Sequence, residues 1–155
     1  MLQRVQSLYL LVVIVSYVLL FFFPFAEFTV NNTEYYFSLL KVSNGNNNST
    51  IPLIAAVGLL CITVLVTIFL YKKRILQIRI IAIVLLAHIG FIVALFYVSG
   101  SIASMLTPHV ANAVEVATKY DTGTYIVLIP LVFLVLANRA IRKDEKLVRS
   151  TDRIR

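Results

Sequence analysis

Cysteine is nearly missing from this 155-residue chain: Cys61 is the only one, and it falls inside an apolar stretch. A single thiol excludes both an internal disulfide and a cysteine-based metal site within one chain. Cys61 reads instead as a small buried apolar residue. The two histidines, His88 and His109, stand alone. The patterns HExxH, GxxxxGK followed by Ser or Thr, GxGxxG and GxSxG do not occur, so the usual signatures of soluble enzymes are absent and no cofactor is implied. Polar groups are also few. Charged residues make up 14% of the chain against 60% hydrophobic, with a mean hydropathy of +0.92. That balance leaves too little polar surface to solvate a globule. The natural solvent for most of this chain is lipid.

What is present is organised in four apolar stretches, Leu8 to Phe25, Ile51 to Tyr71, Ile80 to Val98 and Tyr125 to Ala137, of 18, 21, 19 and 13 residues. Crossing a hydrocarbon core of about 30 Å takes roughly 20 helical residues, so the first three suffice and the fourth is short. Thr122, Gly123, Thr124 and Asn138 complete it. Backbone in lipid must satisfy its own hydrogen bonds, and runs without period-2 alternation favour helices over barrel strands. The expected fold is an all-α membrane protein, a single four-helix bundle with helices at about 8–25, 51–71, 80–98 and 122–138. The first stretch ends in Phe21, Phe22, Phe23, Pro24 and Phe25, not in the small residues of a signal-peptide cleavage site, so it is expected to be retained as an anchor.

The charges fix an orientation. Arg4, then Lys72, Lys73, Arg74 and Arg79, then Arg139, Arg142, Lys143, Lys146, Arg149, Arg153 and Arg155 fall on one side, 12 of the 14 basic residues; Lys41 and Lys119 fall on the other. The positive-inside rule then places both termini in the cytoplasm. In the first outer loop, 26–50, the aromatic and β-branched runs Glu27 to Val30 and Tyr35 to Val42 flank Asn31 and Asn32, the pattern of a small hairpin. In the second, 99–121, Thr107 and Pro108 open a short surface helix whose face is Val110, Ala113, Val114 and Ala117.

Few residues within the spans carry chemistry. His88 is the only ionisable residue well inside one, which makes it the candidate intramembrane polar site. Its expected partners are hydroxyls, Ser16, Tyr17, Thr63, Thr67 or Tyr97, and a neutral imidazole bonded across a helix interface is favoured over catalysis. Ala55 with Gly58, and Gly90 with Ala94, put small residues on one side of the second and third helices, as candidate packing seams within the bundle or toward another protein. Pro130 removes a hydrogen bond from the fourth helix and is a point for a bend. The tail 139–155 is expected to continue that helix outward. Its cations Arg139, Arg142, Lys143, Lys146, Arg149, Arg153 and Arg155 suit anionic head groups at the cytoplasmic face or a cytoplasmic partner. The tail has no aromatic residue, which argues against direct nucleic-acid binding. Sequons for glycosylation stand at Asn31, Asn47 and Asn48.

The opening MLQRVQSLYLLV, the FFFP at the end of the first span, the EYYFSL segment and the closing LANRAIRKDEKLVRSTDRIR resemble a bacterial, Bacteroidota-type inner-membrane family catalogued as domain of unknown function 4293. The resemblance covers essentially the whole chain. It implies four membrane helices in an inner membrane, and it implies no substrate, cofactor or reaction.

The function expected from these features is a non-enzymatic accessory or scaffolding subunit of a larger inner-membrane complex, held by other membrane-protein subunits and by lipid. Protein-export or insertion machinery is a host of that kind. Two other classes compete. A small oligomeric transporter or channel would place His88 near the permeation path. A lipid-modifying enzyme would gather Glu27, Glu34, His109, Glu115 and Asp121 at the outer face.

Overall fold

The computed structural model describes residues 2–30, 33–40, 50–106 and 117–152. Four helices dominate: α1 (Leu2–Leu19), α2 (Ile51–Phe69), α3 (Arg74–Leu106) and α4 (Thr122–Asp152). A 3-10 turn at Leu70–Lys72 joins α2 to α3, and three short strands, β1 (Ala26–Val30), β2 (Thr33–Phe37) and β3 (Ala117–Tyr120), complete the described elements.

Each helix buries a stripe whose members alternate three and four residues apart. In α1 it is Gln6, Leu10, Val13, Tyr17 and Leu20, the last in the turn that follows; in α2 it is Leu53, Val57, Leu60, Val64 and Thr67. In α3 it runs through Ile81, Val84, His88, Phe91 and Leu95, and in α4 through Val127, Pro130, Leu134, Ala137 and Ile141. A repeat averaging 3.5 keeps one seam of each helix facing its neighbours along the bundle. α1 packs most extensively on α4, α4 also on α3, α3 on α2 and α2 back on α1, which closes a four-helix ring. Away from the seams the helices remain apolar: Leu86 is 75% exposed, Phe69 75% and Leu59 68%. Water would not tolerate so much bare hydrocarbon around every helix, whereas acyl chains cover it without penalty.

Three helices are long and apolar enough to cross a membrane: Ile51–Phe69, Arg74–Leu106 and, within α4, Thr122–Val148. α1 contributes a shorter apolar stretch, Val5–Leu19. With 33 residues α3 is the longest. At about 1.5 Å per residue it reaches roughly 50 Å, well beyond a hydrocarbon core of about 30 Å.

The boundaries differ from the sequence expectation in ways that have local causes. α1 begins at Leu2 and stops at Leu19, not at Phe25. Phe21 and Phe22 donate to carbonyls only three residues back, a tightening that ends the helix ahead of Pro24. α3 extends past the expected 80–98 at both ends. Ser101 and Ser104 donate into their own helix, to Tyr97 O at 3.0 Å and Ser101 O at 2.8 Å, so the polar run that reads as a loop continues as helix. α4 runs unbroken through Pro130 and carries the tail as helix to Asp152.

The expected hairpin is present as β1 and β2, and the all-α expectation is corrected by a third strand that joins it. The sheet order is β2-β1-β3, with both pairings antiparallel. β3 comes from the second outer loop, where Ala117 was expected on a surface helix; the remainder of that expected helix, 107–116, lies outside the described residues. β1 follows the end of α1 and β3 leads into α4, so the sheet covers one end of the bundle. It is fastened there through Phe25. The Phe25 N–H donates to Phe37 O at 2.7 Å, and Phe25 O accepts from Asp121 N at 3.1 Å and from Thr124 Oγ1 at 2.7 Å. The Phe25 ring meets Phe37, Phe96 and Tyr120 edge to face, with centroids 5.3 to 6.0 Å apart. Gly123 sits against this turn: a Cβ there would lie 2.5 Å from Pro24 O. Only glycine allows that approach.

Candidate functional site: a histidine at a three-helix junction and an open groove

His88 is fully buried, and both of its ring nitrogens are engaged. Nε2 lies 3.0 Å from Val127 O of α4. A carbonyl only accepts, so Nε2 carries the proton and donates, which leaves Nδ1 to accept from the Tyr17 hydroxyl of α1 at 3.2 Å. One neutral imidazole therefore ties three helices together. Pro130 lies three residues beyond Val127, and its missing N–H removes the helix bond to Ile126 O, next to Val127. The Tyr17 ring lies tilted against the imidazole and the Phe91 ring is stacked on it, with centroids at 5.5 and 6.2 Å.

Of the hydroxyls that could have met His88, only Tyr17 does so. Ser16, Thr63 and Thr67 donate to the carbonyls of Val12, Leu59 and Thr63 in their own helices at 2.7 to 2.8 Å. Tyr97 is 76% exposed.

The small residues do not form a closed seam inside the chain, as one version of the sequence reading had it. A Cβ on Gly58 or on Gly90 would meet nothing within 4 Å, and Ala55 is exposed. Gly90 and Ala94 instead line one wall of a groove between α2 and α3, of about 390 Å³, together with Ala87. Ala56, not Ala55, lines the facing wall with Leu59 and Leu60. The groove is apolar and laterally open, on the face that would meet lipid.

The end of the bundle opposite the sheet is polar. Gln6 Nε2 of α1 donates to Asp144 Oδ2 of α4 at 3.1 Å, so the start of α1 and the distal part of α4 lie side by side. The same carboxylate oxygen stands 3.9 Å from Arg74 Nη1 at the start of α3. Gln77 Nε2 donates to Thr67 O at 3.1 Å and closes the α2–α3 turn. The sequence reading missed Asp144 and Gln77. Their i,i+4 neighbourhoods look like ordinary solvated helix, and only packing places them at a junction. Of the tail cations, Arg139, Arg142, Lys143 and Lys146 are exposed on α4, Arg142 Nε donating to Asn138 Oδ1 at 3.1 Å. Arg149 lies in α4, and Arg153 and Arg155 fall outside the described residues.

At the sheet end Glu27 and Lys119 stand directly opposite across β1 and β3, 3.6 Å apart. The Tyr36 hydroxyl donates to Glu34, and that carboxylate pushes the tyrosine up from its ordinary value. Of the five residues a lipid-modifying enzyme would gather there, His109 and Glu115 lie outside the described residues. Among the described residues no cluster of His, Cys, Asp and Glu is arranged to hold a metal ion.

No match was found among curated proteins or among solved structures. The family model described as Domain of unknown function (DUF4293) matches residues 2–154, nearly the full length of the bundle with its sheet and polar end, and the chain belongs to that family.

Proposed function

We propose that the protein is a non-enzymatic scaffolding or accessory subunit of a larger assembly in a bacterial inner membrane, crossing it four times with both termini in the cytoplasm. The observation that carries this reading is the open apolar groove between α2 and α3, walled by Ala56, Ala87, Gly90 and Ala94. Small residues on facing helices let a third helix approach closely, and such packing drives association between helices where lipid removes the hydrophobic drive. The α1–α4 side has its polar groups joined internally, through Tyr17, His88 and Val127 and through Gln6 and Asp144. That leaves α2 and α3 as the presenting face. A helix of a partner membrane protein is the occupant argued for. The four-span orientation is supported by the charge count and by the junction that holds the start of α1 beside distal α4. A transporter reading loses its main support, because His88 satisfies both nitrogens within the bundle and has no exposed surface.

Purification in mild detergent tests the reading. The wild type is expected to carry stoichiometric partner chains, and Gly90→Leu is expected to lose them while its melting temperature stays put, because the site has room for the side chain. A G90L protein that retains the same partners, or a wild type that never carries any, would sink it.

A further inference from the structure

At the basic end, a second cavity of about 540 Å³ lies between the first turns of α3 and the distal part of α4. Lys73, Arg74 and Arg79 converge on it, opposed by the single carboxylate of Glu145. We propose that this cavity binds the phosphate of an anionic phospholipid, drawn from the leaflet at the basic end of the bundle.

The charge of the cavity points to an anion. The cations gather at the N-terminus of a 33-residue helix that has no acidic residue in its first turn. That end already carries the positive pole of the helix dipole, so lysine and arginine there are unfavourable without a negative charge between them. Next, Arg74 Nη1 is a buried atom with no hydrogen-bond partner. Its nearest anion, Asp144 Oδ2, stands at 3.9 Å, beyond hydrogen-bonding reach, and already accepts from Gln6. Arg74 is thus held beside the cavity by Asp144, and its charge adds to those of Lys73 and Arg79 there. The cavity also lies beside the first turn of α3, whose backbone N–H groups lie ahead of the regular intrahelical ladder.

The walls distinguish a lipid from a free anion. Ile75, Leu76 and Val148 line the same cavity and are 49%, 42% and 41% exposed, so acyl chains leaving the phosphate would run over apolar side chains toward the membrane segment of α3. A soluble phosphate would gain nothing from that surface. The site requires the chain to lie in a bilayer and does not depend on the partner helix argued above.

Native mass spectrometry of the full chain, titrated separately with phosphatidylglycerol and phosphatidylcholine, tests the assignment. One phosphatidylglycerol per chain is expected to be retained at about tenfold lower concentration than phosphatidylcholine, as one charge-assisted contact implies. Lys73→Gln with Arg79→Gln, both exposed, should erase that preference while leaving the circular dichroism unchanged; Arg142→Gln with Lys143→Gln on the tail should keep it. Equal retention of the two lipids by the wild type overturns the proposal. So does a preference that survives K73Q/R79Q and disappears in R142Q/K143Q. Glycerol phosphate displacing the lipid at equal concentration would also overturn it, by making the site one for soluble phosphates.

Discussion

His88 and Tyr17 exchange one hydrogen bond in a region from which water is excluded. Truncating His88 to Ala removes that bond and the one to Val127, opens a void, and leaves the Tyr17 hydroxyl buried without a partner. Tyr17→Phe leaves Nδ1 without its donor while Nε2 stays bonded to Val127. Each variant orphans one buried polar atom, at about 1–3 kcal/mol, and His88→Ala adds the void and the loss of a second interhelical bond, about 0.6 kcal/mol in membrane bundles. H88A is therefore expected to lower the melting temperature in detergent clearly more than Y17F, and the double variant should fall short of the sum of the two because they share that bond. Equal effects would show that His88 does not hold the junction. Gly123 makes the complementary case, in which adding an atom is the harm. Gly123→Ala puts a methyl group 2.5 Å from Pro24 O, so the turn and the helix start must part. Overpacking of this kind costs about 1–3 kcal/mol, and thermal unfolding should show it. That His88 is a lone polar residue within a long apolar run was legible in the chain. Its tautomer was not, because that follows from which carbonyl it faces.

Among the elements, the third strand is the piece that pattern reading could not supply. Ala117–Tyr120 reads ATKY, four residues with no alternation strong enough to mark a strand. It becomes one because β1 presents an unpaired edge at the point where the chain must return to α4. An isolated two-stranded hairpin would be marginal, and the third strand plus the Phe25 aromatic cluster give it support. The register is directly testable. In a Cys61→Ala background, E27C with K119C is expected to form an intramolecular disulfide on mild oxidation, since these positions face each other across β1 and β3. Failure to crosslink alongside efficient crosslinking of a neighbouring pair would mean a shifted register. The helix ends were misread for a related reason: a serine-rich stretch signals a loop only where the hydroxyls bond away from the helix, and in α3 they bond back into it.

For the molecule as a whole, the two ends of the bundle differ in chemistry. One carries the sheet and an aromatic cluster; the other carries Arg74, Arg79 and the exposed cations of α4. A green fluorescent protein fused after Arg155 is expected to fluoresce. An alkaline phosphatase inserted between Leu40 and Thr50 is expected to be active, and the converse pattern would reverse the orientation. α4 reaches about 47 Å at roughly 1.5 Å per residue, so its last turns stand clear of a hydrocarbon core of about 30 Å and bring their charges to the α2–α3 turn.

Hydropathy, helix number and charge asymmetry follow from composition and order alone, since they depend on transfer free energies summed along the chain and not on which residues touch. That is why the apolar runs were enough to expect helices, three of which are long and apolar enough to cross a membrane. Which stripe of each helix faces inward was decided only by tertiary structure, because helices that are apolar on every side carry no periodic signal to read. The same holds for the site residues. The small residues of α2 and α3 signal close packing in either direction, and only the ring of helices shows Gly90 facing outward into an open groove. Likewise Arg74 is one basic residue among 14 until the fold places it between Asp144 and a cavity.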